Sequence, residues 1–146
     1  MPIDLLSALE GFASAVGVAL DLDSQSKKQT VSVQVATLRA IESQLTQSCI
    51  EGLGPRMGPI EAAEFSLQAA RLSETVRDMI PLTTPALRAL ATLSASISEA
   101  APLVSANQLT SAECQELLVA IRAGVVALSK EYGLSPSGRL GGPSAA

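Results

Sequence analysis

Apolar residues recur at steps of three and four along most of this chain, and the α-helix is the regular structure with that period. The clearest case lies near the C-terminal end. Thr110-Ser111-Ala112-Glu113 has the form of a capping box, a hydroxyl at the cap and a carboxylate three residues on. Cys114, Leu117, Leu118, Ile121, Val125, Leu128 and Tyr132 follow with heptad-like spacing. Gly133 then takes the stop position, where a left-handed residue is usually glycine.

The same period predicts four more helices. Leu5, Leu9, Phe12, Val16 and Ala19 mark one over Asp4–Leu20, with Asp4 as its cap. Asp21–Thr30 reads as a polar connector. Val31, Val33 and Val35 alternate like a strand, but Val31, Val35, Leu38, Ile41, Leu45 and Cys49 hold helical spacing, which predicts a helix over Val31–Glu51. Gly52–Pro59, with three glycines and two prolines, must be a turn. A helix over Ile60–Met79, ended by Pro81, carries two apolar faces: Ile60, Ala63, Leu67 and Ala70 on one, Phe65, Leu72, Val76 and Met79 on the other. Two such faces call for contacts on two sides, within a bundle or across a subunit boundary. Thr84-Pro85 is a strong helix start. Leu87, Leu90, Leu93, Ile97 and Ala101 then line one face as far as Pro102, opposite the small, uncharged Ala91, Thr92, Ala95 and Ser98. The expected fold is all-α: a single-domain bundle of about five helices over residues 1–133, neighbours antiparallel, followed by a short flexible Ser/Gly/Pro tail over 134–146.

Composition fits a core built without large rings. Of the 146 residues, 47% are hydrophobic but 2% aromatic, and the charged share is 16% against about 25% in an average domain. The net charge of −4 resides in residues 1–26, where Asp4, Glu10, Asp21 and Asp23 stand without a Lys or Arg. No stretch reaches the roughly 20 apolar residues of a membrane span, and the start lacks the basic end of a secretory signal. The expectation is a cytoplasmic protein that engages no membrane, with Cys49 and Cys114 reduced and buried.

Chemistry has little to draw on. The chain has no His, hence no imidazole base and no Ser-His or Cys-His pair. Glu61 with Glu64, and Glu113 with Glu116, have the spacing of di-iron carboxylates but lack the His that completes the motif. Asp21-x-Asp23-x-Gln25 starts like a calcium loop, but Ser26 and Ser32 stand where the Gly and the Glu belong. Gly52–Gly58 has neither the spacing nor the setting of a nucleotide loop. No enzymatic activity, metal or cofactor is expected. The candidate phosphate contacts are Lys27, Lys28 and Arg56. They are too few for one chain to hold DNA strongly, although a ring of subunits would multiply Lys27-Lys28 into a cationic belt.

The tail carries one specific likeness. Gly133, Leu134, Ser135, Pro136, Ser137 and Arg139, followed by Leu140, resemble the closing motif of a family of phage terminase small subunits, in which a long helix ends in Gly-Leu-Ser/Thr-Pro-Ser-x-Arg and a Leu. The resemblance covers about a tenth of the chain. It implies a non-enzymatic DNA-packaging component: a homo-oligomer that engages DNA as an assembly and regulates a large terminase subunit. Gly133, Leu134, Ser135, Pro136, Ser137, Arg139 and Leu140 would then form a partner-docking tail, with Arg139 as its charged anchor. The alternative is a helical scaffold or adaptor that binds another protein through Ala/Leu-rich faces, without nucleic acid. A small-ligand bundle fits less well, for want of aromatic and polar clusters.

Overall fold

In the computed structural model the described residues are 25–79 and 84–134. They form α1 (Gln25–Ser48), β1 (Cys49–Ile50), β2 (Gly54–Pro55), α2 (Pro59–Arg77), α3 (Pro85–Ser105) and α4 (Ser111–Tyr132). The helix expected over Asp4–Leu20 lies outside the described residues. The described part is all-α apart from one two-residue ladder.

The closest pairings are α2 with α3 and α1 with α4, then α1 with α2 and α3 with α4. Each helix therefore neighbours two others around a closed circuit, the arrangement of a four-helix bundle with short connections. The core is mainly aliphatic. Val31, Val35, Leu38, Ile41 and Leu45 of α1 meet Phe65 and Leu72 of α2, Leu87, Leu93 and Ile97 of α3, and Leu117, Ile121 and Leu128 of α4. One amide lies within it. The buried Gln34 donates through Nε2 to Thr75 Oγ1 at 3.2 Å and to Met79 Sδ at 3.3 Å, joining α1 to α2.

Local chemistry explains most of the helix ends. Thr84 Oγ1 accepts from Leu87 N at 3.2 Å, and Pro85 opens α3. At α4 the capping box is complete: Thr110 Oγ1 accepts from Glu113 N at 3.1 Å, while Glu113 Oε1 accepts from Thr110 N at 3.1 Å. Gly133 stops α4 at φ +65°, and Leu134 N donates back to Ser129 O at 2.8 Å.

Besides shifts of one or two residues at α2, which spans Pro59–Arg77 rather than Ile60–Met79, four boundaries differ from the sequence expectation. The polar run Gln25–Thr30 is the start of α1, because Gln and Lys are good helix formers and polarity alone does not end a helix. At its other end α1 stops at Ser48, and Cys49 and Ile50 instead pair with Pro55 and Gly54 in an antiparallel ladder. Val31–Val35 thus belongs to a helix, while the strand residues occur where no alternation marks them. Pro102 does not end α3, which runs on to Ser105. The Pro removes one hydrogen bond, the one its N–H would have donated to Ser98 O, and Ser98 is exposed. Finally, Leu134 is buried in the core, so the packed body includes the first residue assigned to the tail.

Candidate functional site

The glycine- and proline-rich turn after α1 is a built structure. Gly52 (φ +81°) and Gly54 (φ +92°) take left-handed conformations, and Leu53 N donates to Ile50 O at 2.9 Å. Asn107, also left-handed at φ 56°, reaches across with Oδ1 to accept from Met57 N at 3.3 Å. Arg56 is folded back, its Nη1 donating to Pro55 O at 3.0 Å. It lines an open cleft of about 290 Å³ with Gln44, Gln47 and Glu61, where Gln44 Nε2 donates to Glu61 O at 3.2 Å.

The candidate phosphate contacts do not come together. Arg56 N donates to Ser48 O at the C-terminal end of α1, whereas Lys28 lies in its first turn, about 30 Å away at 1.5 Å per residue. Lys27 is the backbone neighbour of Lys28 in that turn.

What does gather is a seam between α1 and α4. One open cleft of about 270 Å³ is lined by Arg39, Val125, Val126, Ser129, Lys130 and Leu134. A second, of about 300 Å³, shares Arg39 and adds Glu42, Thr46 and Arg122. Arg122 Nε pairs with Glu42 Oε2 at 2.7 Å, and Lys28 Nζ lies beside Gly133, 3.9 Å from where a Cβ would be. Lys28, Arg39, Arg122 and Lys130 thus border one surface with a single carboxylate, Glu42, among the residues lining the two clefts. The sequence conceals it, because Arg39 and Lys130 are isolated charges that only the α1–α4 pairing brings together. The start of the terminal motif is at the same place: Gly133 closes α4 and Leu134 forms part of the cleft wall. Ser135, Pro136, Ser137, Arg139 and Leu140 lie outside the described residues.

The two cysteines, far apart in sequence, are also neighbours. Both are free thiols; Cys114 is buried and Cys49 partly so. Burial, then a hydrogen bond with Cys49 and the charge that Cys49 would carry, push the Cys114 thiol up to about 12. A thiol held protonated in this way is a poor nucleophile. Among the described residues no group of three or more Cys, Asp or Glu is placed to hold a metal ion, and no helix is long and apolar enough to cross a membrane.

No protein-family model, no curated protein and no solved structure matches the chain.

Proposed function

We propose that this chain is a non-enzymatic component of a phage-type DNA-packaging assembly, acting as a homo-oligomer in the manner of a terminase small subunit. The observation that carries the reading is where the terminal motif begins. Gly133 and Leu134 are fixed against the α1–α4 seam, beside Lys28, Arg39 and Lys130. The rest of the motif, Ser135 to Leu140 with Arg139, follows Leu134 directly in sequence. In an oligomer that cationic seam is repeated once per subunit and gives the weak, additive phosphate contacts that assembly-dependent DNA binding requires. The tail serves as the docking segment for a large, catalytic packaging subunit.

The test is retention of DNA against salt. Retention that falls steeply as salt rises, and that drops in Arg39→Glu and Lys130→Glu but not in Arg56→Glu, supports the reading. A chain that retains no DNA as an oligomer and captures no large packaging subunit sinks it.

A second reading has its own observation. Ile60, Leu67, Val119 and Val126 are large apolar side chains at least half exposed on the outside of the bundle. They favour a helical adaptor that binds protein without nucleic acid. Salt-insensitive capture of one protein partner, with no DNA retention, selects that reading.

A further inference from the structure

Helix α2 has two apolar faces, and the fold uses one. Ala62, Phe65, Ala69, Leu72 and Val76 face the core. Ile60, Ala63, Leu67 and Ala70 point outward; Ile60 is 73% and Leu67 52% exposed. At 100° per residue, Ile60 and Leu67 lie on one line along the helix. Ala63 and Ala70 flank that line on one side, and Glu64 and Arg71 flank it on the other.

This pattern is self-complementary about Leu67. When a second α2 is laid antiparallel across the first with a two-fold axis at Leu67, Leu67 meets its own copy. Ala63 of each chain faces Ala70 of the other, and Glu64 of each faces Arg71 of the other. In antiparallel helix pairs like flanks meet. The small flank therefore lets the backbones approach closely, while the charged flank forms two identical ion pairs. Both charged side chains lie on exposed positions. A parallel pairing would set the charged flank of each helix against the small flank of the other and form neither ion pair, so the charges also favour the antiparallel direction.

We infer that the outer face of α2 is the surface through which two copies of this chain associate, antiparallel, with Leu67 on the two-fold axis and Glu64–Arg71 pairs at either side. The inference deepens the self-assembly in the proposed function and rests on that part of it alone. It stands whether or not the assembly handles DNA.

The experiment is light scattering coupled to gel filtration on the full chain over a range of concentrations, with helicity followed by circular dichroism. Leu67→Asp is expected to lower the assembly mass, down to the monomer if no other interface operates, at unchanged helicity. Glu64→Arg and Arg71→Glu each place like charges in contact and are expected to weaken association about tenfold or more. The double variant Glu64→Arg/Arg71→Glu restores the pairs with reversed sign and is expected to recover most of the loss. A wild-type chain that stays monomeric, a Leu67→Asp mass equal to wild type, or a double variant as weak as the singles combined would each overturn the α2 interface. Loss of DNA retention with the mass intact bears only on the packaging reading.

Discussion

Gly54 lies so close to Leu109 that a Cβ on it would run into the Leu109 carbonyl oxygen, and would also stand 2.9 Å from Thr110 C and 3.0 Å from Ser111 N. The contact joins the turn after α1 to the start of α4, two parts of the chain that share no sequence signal. It leaves the capping box of α4 braced by the β1–β2 ladder, with Asn107 holding Met57 from the other side.

The two left-handed glycines of that turn are therefore not equivalent. Gly52→Ala meets open space and bears only the strain of its positive φ, about 1 kcal/mol. Gly54→Ala adds a clash with backbone that cannot yield without moving α4. It is expected to cost more than about 2 kcal/mol. Urea denaturation of the two variants side by side measures the difference, and equal midpoints would show that the turn is not pressed against α4.

The core of α4 can be probed at one position. Ile121 is fully buried and central in the helix. Ile121→Ala is expected to cost about 2–5 kcal/mol, the removal of buried methyl groups plus the cavity left behind. The measurement is the chemical denaturation midpoint, and an unchanged value would contradict the packing of α4 against α1 and α3.

How much of this was legible depends on the range of the interaction. Thr84-Pro85, the Thr110–Glu113 box and Gly133 act within four residues of themselves, and each stands where the sequence put it. Ile60/Leu67 and Phe65/Leu72 are both helical stripes, and periodicity cannot rank them. The structure buries the stripe that carries the aromatic ring, which has more apolar area to remove from water. Pro102 misleads because the rule that a proline ends a helix assumes an interior position, and here the helix is within a turn of its end. The α1–α4 seam, the Cys49–Cys114 contact and the Gly54–Leu109 approach all join residues distant in sequence. Their charges, thiols or missing side chain acquire meaning only after α1 and α4 have docked.

The cysteine contact gives the chain a defined response to alkali. Folding holds the Cys114 thiol protonated up to about 12, against an ordinary value of 9.0. Below pH 9 both folded and unfolded chains keep the proton, so the group does not alter stability with pH. Between about 9 and 12 the unfolded chain ionises and the folded one does not, so stability falls as pH rises. Comparing the pH dependence of wild-type denaturation with that of Cys114→Ala isolates this contribution, because other alkaline groups are common to both. Parallel curves across that window would show that the thiol is not held protonated.

The terminal motif divides at Leu134. Leu134 is buried, lines the seam and donates its backbone N–H to Ser129 O, so it is part of the body of the protein. The Ser/Gly/Pro-rich composition of 135–146 predicts that truncation after Leu134 changes stability by less than about 0.5 kcal/mol. Truncation after Gly133 also exposes the apolar surface that Leu134 covers and removes the hydrogen bond that ends α4, and is expected to cost about 1.5–3 kcal/mol. In the proposed function both truncations remove the docking segment, so both should lose capture of a large packaging subunit although only one loses stability. Urea midpoints and a pull-down on the same two proteins separate the roles. Equal midpoints would place Leu134 outside the core, and undiminished capture by the longer truncation would remove the tail from the docking role.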